Sequence, residues 1–189
     1  MLALKHLIRY VSRTKSASLF FSSQGTPNLT ASSDSSWGSI TSSKGTSGIL
    51  FLINNTPIAW WSNKQTVTAQ STCEAEYAAL SKLAVAAQWI KPLYEELFLI
   101  NSSPIVTEID NTAALITANS TKIPARNRHF LMREETVRET VKNNIIKLKY
   151  TPTNDCKADG LTKALQRLKH NTFCTQIKLD LKHTALRGV

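Results

Sequence analysis

Two periodicities in the apolar positions divide the chain into predicted strands and helices. Short runs bounded by turn-forming residues, some alternating and some continuously apolar, are typical of strands. Five such runs cover residues 29–36, 47–54, 58–62, 105–110 and 145–150. Apolar residues at helical spacing predict four helices at residues 71–90, 112–118, 126–141 and 155–165. Pro92 is expected to kink or end the first of these helices, with resumption of helix over residues 93–97 as the alternative.

The order of these elements predicts an α/β fold. Three consecutive antiparallel strands, followed by two parallel strands that alternate with helices, indicate a mixed five-stranded sheet flanked by helices. Residues 1–28 combine a basic amphipathic helix with a linker rich in turn-forming residues, so a domain boundary is predicted there. The predicted division is an arm at 1–28, a main domain at 29–166 and a basic tail at 167–189.

The helix at 71–90 carries an acidic residue on its apolar face. If Leu80 marks the centre of that face and each residue turns by about 100°, Cys73, Tyr77 and Glu76 lie within about 60° of it. Glu74 falls on the flank of the helix. An ionised carboxylate on a buried face is costly unless a cation or a metal compensates its charge. Glu76 is therefore the first candidate functional residue.

Three further acidic residues lie where such a fold could gather them. Asp34 is in the first strand, Asp110 ends the fourth strand and Asp159 is in the last predicted helix. Ligand sites in open sheets with parallel pairs form at the carboxyl ends of strands, and carboxylates that meet there repel one another unless a cation binds. Mg²⁺ or Mn²⁺ suits such oxygen ligands. Each acid taken singly is explained equally well as a capping, turn or exposed residue, so only the joint pattern indicates a site.

Net charge and cysteine content indicate which partners, structural sites and cellular compartment to expect. The 189 residues carry a formal net charge of +10, which fits either an ordinary basic surface or a polyanionic partner such as nucleic acid. Three cysteines without close spacing do not favour a disulfide framework or a structural zinc site. The sequence shows no apolar run of membrane-spanning length and no signal peptide. An intracellular protein without membrane contact is predicted.

Seven ordered segments carry a resemblance to a known family. They are DSSWG at 34–38, KGTSG at 44–48, PIAWWSNKQ at 57–65, STCEAEYAAL at 71–80, DN at 110–111, YTPT at 150–153 and ADGLTK at 158–163. Together they resemble the ribonuclease H domain of Copia-type (Pseudoviridae) LTR retrotransposon Pol polyproteins over roughly residues 29–165. The resemblance implies a ribonuclease H-like fold.

The resemblance also implies a function and a site. The catalytic, metal-binding carboxylates of the family correspond to Asp34, Glu76, Asp110 and Asp159. It implies two Mg²⁺ ions about 4 Å apart, with Mn²⁺ as a substitute, and hydrolysis of the RNA strand of RNA–DNA hybrids by in-line attack. The expected role is in retrotransposon reverse transcription.

Polar and basic residues near these acids are candidates for substrate contacts. Selection of RNA requires contacts with its 2′-hydroxyls. The candidates for these contacts are Gln70, Ser71, Thr72 and Asn111. The candidates for phosphate contacts are Lys64, Arg126, Arg128 and Lys163. A capping or turn role for the first group, and a solvated surface charge for the second, stays open as the alternative.

Three other interpretations stay open. The chain could be a catalytically silent or domesticated copy that binds nucleic acid, an integrase-like nuclease on the same fold, or a domain that only supports reverse transcriptase. Residues 3–10 resemble the segment that joins reverse transcriptase to this domain, so a reverse transcriptase domain of the same polyprotein is an expected partner. The expected location is cytoplasmic, within a virus-like particle, or nuclear.

Overall fold

Five strands form one mixed sheet at the centre of the molecule. The structure, a computed structural model, describes residues 2–22, 25–38, 44–66, 68–119 and 128–181. The strands are β2 (Leu29–Ser36), β3 (Thr46–Ile53), β4 (Thr56–Lys64), β5 (Ile105–Ile109) and β6 (Ile146–Tyr150), following β1 (Ser18–Leu19) in the arm. Their order across the sheet is β4-β3-β2-β5-β6, antiparallel within the first three and parallel from β2 to β6. The predicted mixed sheet is thereby confirmed.

Three helices cover one face of this sheet. They are α2 (Thr72–Phe98), α3 (Thr112–Asn119) and α4 (Arg128–Lys142). Alternating residues of β2 and β3, such as Ala31 and Phe51, point into this layer and pack against buried residues of α2, such as Tyr77 and Leu83. Burial of such side chains at the central strands provides the main hydrophobic stabilisation of the fold.

The opposite face is covered by the C-terminal part of the chain. Helix α5 (Arg167–Gln176) and strand β7 (Leu179–Asp180) follow two short 3₁₀ turns. Leu50 and Leu52 of β3 pack there against Ile177, Phe173 and Leu179. Residues beyond 166 therefore contribute to the core, while the predicted domain boundaries themselves stay a prediction.

The N-terminal arm contacts this C-terminal part. Helix α1 (Leu2–Thr14) leads into β1, which pairs antiparallel with β7. The hydroxyl of Tyr10 lies 3.3 Å from Nε2 of His170 in α5. Among the described helices, none combines the length and the apolar character that a membrane crossing needs.

Helix α2 does not end at Pro92, so that part of the prediction is wrong. Pro92 faces solvent, and the helix continues to Phe98. Ile90 and Tyr94 on either side of the proline are buried, and the Tyr94 hydroxyl donates to the carbonyl oxygen of Pro27 at 2.5 Å. Tertiary packing of these neighbours thus outweighs the local preference of proline.

The helix predicted at 155–165 is also wrong. The segment forms two 3₁₀ turns, Thr153–Asp155 and Lys157–Leu161. The backbone N–H of Ala158 donates to the Ser32 hydroxyl of β2 at 3.2 Å, which draws the segment onto the strand. In an α-helix, this N–H would donate to the carbonyl oxygen of the residue four positions earlier. The hydrogen bond to Ser32 therefore competes with helix formation.

Candidate metal centre

Three carboxylates from three separate elements converge near the carboxyl ends of β2 and β5. Asp34 lies near the end of β2, Glu76 lies in the first turns of α2, and Asp110 follows β5. One carboxylate oxygen of each lies within 4.8 Å of the others. Asp34 is 1% exposed, and the other two are partly buried. The structure thus brings three of the four predicted acids together.

Hydroxyl groups of the C-terminal segment orient two of these carboxylates. The Thr162 hydroxyl donates a short hydrogen bond to Oδ2 of Asp34. The Thr153 hydroxyl donates to Oδ2 of Asp110 at 2.8 Å. Such contacts fix the rotamer of an acid before any ligand arrives, which is the usual role of residues around metal ligands.

Glu76 is the most perturbed of the three acids. Its Oε1 accepts the backbone N–H of Ser35 at 3.3 Å. Burial, and then the charges of Asp34 and Asp110, raise the pKa of Glu76 to about 8. Burial likewise raises the pKa of Asp34, against the hydrogen bond from Thr162. Clustered oxygen donors that resist ionisation together fit a hard divalent cation such as Mg²⁺ or Mn²⁺.

The start of α2 is held in place by a capping arrangement. The Ser71 hydroxyl accepts the backbone N–H of Glu74 at 3.1 Å, and Oε2 of Glu74 accepts the backbone N–H of Gln70 at 2.7 Å. The side-chain amide of Gln65 donates to the carbonyl oxygen of Ala75 at 2.9 Å. These bonds use Glu74 for the cap and fix the turn that carries Glu76.

The fourth predicted acid lies apart from the other three. Asp159 is in the 3₁₀ turn Lys157–Leu161, and its Oδ1 forms an ion pair with the ammonium group of Lys163. Nζ of Lys163 also lies 4.0 Å from Oδ2 of Asp34. Lys163 therefore lies between Asp159 and the cluster.

Solved structures similar to the chain share its fold. LC11-RNase H1, solved in complex with an RNA/DNA hybrid, is 9% identical, with a TM-score of 0.54 over 71% of this chain and 94% of that chain. The N-terminal RNase H domain of a Mycobacterium tuberculosis protein is 10% identical, with a TM-score of 0.54 over 81% of this chain and 98% of that chain. The chain has a ribonuclease H fold.

The sequence relatives of the chain include Pol polyproteins of plant transposons. The Pol polyprotein of transposon RE2 of Arabidopsis thaliana is 31% identical over 176 residues, 93% of this chain. That of transposon TNT 1-94 of Nicotiana tabacum is 32% identical over 168 residues, 88% of this chain. The chain is a homologue of Copia-type Pol polyproteins. It spans only 12% of the length of either relative, and no family model matches it.

A third sequence relative of the chain is a much shorter protein. Secreted RxLR effector protein 161 of Plasmopara viticola is 40% identical over 89 residues, which are 47% of this chain and 63% of that protein. A related segment thus also occurs outside the long polyproteins.

The predicted substrate residues that the structure describes lie at the starts of helices or the end of a strand. Gln70 and Ser71 form part of the cap of α2, and Thr72 is its exposed first residue. Oδ1 of Asn111 accepts the backbone N–H of Ala114 at 3.1 Å at the start of α3. Lys64 is exposed at the end of β4. Their contacts with substrate stay predictions.

The remaining two predicted phosphate contacts are Arg126 and Arg128. Arg128 begins α4, and Arg126 lies outside the described residues.

Sequence reasoning missed the hydroxyl groups that orient Asp34 and Asp110. Thr162 and Thr153 lie within the segments that resemble the family, but their contacts join residues far apart in the chain. Alternation and spacing carry no signal for contacts of this kind. Residues 153–163, which include both 3₁₀ turns, are called the 3₁₀ segment below. Only the close approach of this segment to the sheet shows which hydroxyl meets which carboxylate.

Proposed function

We propose that the chain is a ribonuclease H that hydrolyses the RNA strand of RNA–DNA hybrids with the help of divalent ions. The observation that carries the proposal is the convergence of Asp34, Glu76 and Asp110 within 4.8 Å, in a fold shared with ribonucleases H. Two Mg²⁺ ions, or Mn²⁺ in their place, would be held by these acids together with Asp159. When bound, they would supply the positive charge that activates water and stabilises the leaving 3′ oxygen.

The residues of the chain would prepare the site for this reaction. Asp34 and Asp110 are oriented by threonine hydroxyls, so they need not reorganise when ions bind. Glu76 retains its proton near neutral pH in the metal-free chain, because its pKa is about 8, and would release it when a cation arrives.

Selection of RNA would depend on groups beside the cluster. Gln70, Ser71 and Thr72 lie one turn before Glu76, and Asn111 follows Asp110. Their polar groups would read 2′-hydroxyls, and the positive charges of Lys64, Arg126 and Arg128 would meet phosphates. A basic chain with a net charge of +10 supports a polyanionic substrate.

The decisive experiment measures cleavage of a labelled hybrid with Mg²⁺. Asp110→Asn should lower the rate by at least about 100-fold without loss of folding, because even the partners of metal ligands contribute 10–100-fold to affinity. Asp155→Asn is the matched control, because Asp155 is an exposed acid of the neighbouring 3₁₀ turn. It should leave the rate within about twofold of the wild type, because surface substitutions away from a site have small effects.

The same assay separates the rival functions. A wild type that binds the hybrid without cutting it would identify a silent nucleic-acid-binding domain. Cleavage of duplex DNA, but not of hybrid, would identify an integrase-like nuclease. Unchanged cleavage by Asp110→Asn would remove the cluster from the mechanism.

We also propose that the chain works beside a reverse transcriptase domain of the same polyprotein, in the cytoplasm or the nucleus. The exposed apolar residues of α1, Leu4, Leu7 and Ile8, support a protein contact there. Copurification of the two domains as separate chains tests this, and Leu7→Glu should weaken it. Equal recovery of the wild type and of Leu7→Glu with the reverse transcriptase domain would contradict the contact.

A further inference from the structure

Lys163 contacts one acid of the cluster and the fourth predicted acid. Its ammonium group donates to Oδ1 of Asp159 and is 4.0 Å from Oδ2 of Asp34. The side chain of Asp34 is 2% exposed and that of Asp159 is 19% exposed, whereas that of Lys163 is 45% exposed. A cation supplied by the chain thus reaches from solvent into the gap between the cluster and the fourth acid.

The position of this cation has an electrostatic consequence. Asp34 is surrounded by acids, and burial further disfavours its charged form. A positive charge near Asp34 lowers the repulsion within the cluster of the metal-free chain. A divalent ion shared by Asp34 and Asp159 would meet the ammonium group at the same carboxylates, and like charges repel.

We propose that Lys163 is an internal counter-ion that fills the gap between Asp34 and Asp159 in the metal-free chain and has to leave before a divalent ion binds there. The inference rests on the proposed function, which places an ion at these carboxylates. The two ion positions are then unequal. The position among Asp34, Glu76 and Asp110 fills first, and the one near Asp159 fills at higher concentration because it competes with Lys163.

A phosphate contact is the competing role for this lysine. If Lys163 only meets the nucleic acid, its removal weakens hybrid binding and leaves ion binding unchanged. If it is the counter-ion, its removal changes ion binding in the absence of nucleic acid. Titration of the free protein with a divalent ion therefore distinguishes the two roles.

The experiment is calorimetric titration of the full chain with Mn²⁺, without nucleic acid. Lys163→Met keeps the length of the side chain and removes the charge. It should tighten the weaker of two Mn²⁺ sites by about 10-fold, a typical effect of a residue beside metal ligands. Lys163→Arg should stay close to the wild type, because it retains the charge.

A matched control comes from the same 3₁₀ segment. Lys157 is a partly buried lysine whose ammonium group lies 2.8 Å from Oε2 of Glu108. Lys157→Met also removes an ion pair, but not from an acid of the cluster, so it should leave both Mn²⁺ affinities unchanged. Equal tightening in this variant would show a general effect of net charge and overturn the proposal.

Thermal unfolding provides a second readout. In EDTA, Lys163→Met should unfold at a lower temperature than the wild type, because Asp34 and Asp159 lose their counter-ion. Saturating Mn²⁺ should abolish the difference, because the ions replace the lost charge. A weaker site that is unchanged or loosened in Lys163→Met overturns the proposal.

Cleavage assays on the same samples keep the two claims apart. A wild type that binds both ions but does not cut the hybrid contradicts the proposed function and leaves the role of Lys163 standing. Persistent cleavage with unaltered ion affinities in Lys163→Met contradicts only the role of Lys163. A wild type that binds no divalent ion overturns both.

Discussion

At the scale of single residues, burial and repulsion act in the same direction on Glu76. Burial disfavours its charge, and the nearby Asp34 and Asp110 add to the effect, so its pKa rises to about 8. The backbone N–H of Ser35 opposes the shift only in part. The metal-free chain therefore keeps a protonated carboxyl group in a position where an ionised one would be expected.

This shift predicts a pH dependence of stability. In the unfolded chain, Glu76 has its ordinary pKa near 4.5, so the folded chain binds more protons between 4.5 and about 8. The free energy of unfolding in EDTA should therefore fall as the pH rises through this range. Because one pKa unit corresponds to about 1.4 kcal/mol, the loss over the whole range is on the order of 5 kcal/mol.

Denaturant unfolding at pH 5 and pH 8 measures most of this loss. Glu76→Gln has no ionisable group at this position and should lower the slope, while the raised pKa of Asp34 contributes to the slope with the same sign. An equal slope in wild type and Glu76→Gln would show that the pKa shift has another origin or is absent.

The sequence predicted the position of Glu76 on α2 but not the contact between Lys163 and Asp34. The periodicity of α2 placed Glu76 on the inner face and Glu74 on the flank, and the structure has Glu74 in the cap. It could not show that Lys163 reaches Asp34, because that contact depends on how the 3₁₀ segment lies on β2. Helical periodicity describes one element, whereas ion pairs of this kind join two.

At the scale of elements, the site depends on the close approach of the 3₁₀ segment to β3. Gly48 of β3 pairs with Asp34 of β2 across the sheet. A Cβ atom at Gly48 would lie 2.8 Å from the carbonyl oxygen of Ala158 and 2.8 Å from Cγ2 of Thr162. Both distances are too short for ordinary contact, so the absent side chain lets the segment reach the acids.

Gly48→Ala should therefore displace the segment that carries Thr162 and Asp159. The fold should remain, because β3 keeps its strand conformation, but overpacking of this kind typically costs about 1–3 kcal/mol. Hybrid cleavage should fall far more than stability, because Asp34 loses the hydroxyl that orients it.

Measurement of unfolding and of cleavage on one preparation tests this. Ala31→Gly is a useful comparison, because it alters the same sheet on the face covered by α2. It should lower stability with a smaller effect on cleavage. Full cleavage by Gly48→Ala would show that the site tolerates a shift of the segment.

Elements were predicted well where one periodicity dominates and poorly where two interactions compete. The sheet strands and α2 follow apolar spacing, and all five strands are present. The error at 155–165 arose because the Ser32 hydroxyl accepts the backbone N–H of Ala158, and the error at Pro92 arose because the burial of Ile90 and Tyr94 favours continuation of α2. Both outcomes depend on partners that are distant in sequence.

At the scale of the whole molecule, the C-terminal part completes the second hydrophobic layer. Leu50 and Leu52 of β3 are almost completely buried beneath Ile177, Phe173 and Leu179. The sequence indicated a basic tail after residue 166, because charge masks the few apolar positions there. Composition alone could not show that these positions meet the far face of the sheet.

Truncation after residue 166 should therefore destabilise the fold. It exposes two leucines of the central sheet, each worth about 1.5–3 kcal/mol when fully buried, so the loss is roughly 3–6 kcal/mol. Leu168→Ala is the control and should have little effect, because Leu168 of α5 is 81% exposed. Thermal unfolding of both variants measures the difference, and equal melting temperatures would support the predicted boundary at 166.

The late position of Thr162 along the chain has a consequence for biosynthesis. A ribosome produces all three clustered acids before it reaches the hydroxyl that orients the first of them and the lysine that balances its charge. A polypeptide whose synthesis has stopped short of residue 162 would thus carry every clustered acid and still lack the hydroxyl and the ammonium group that contact Asp34. Full ordering of Asp34 would have to wait until translation has passed residue 163.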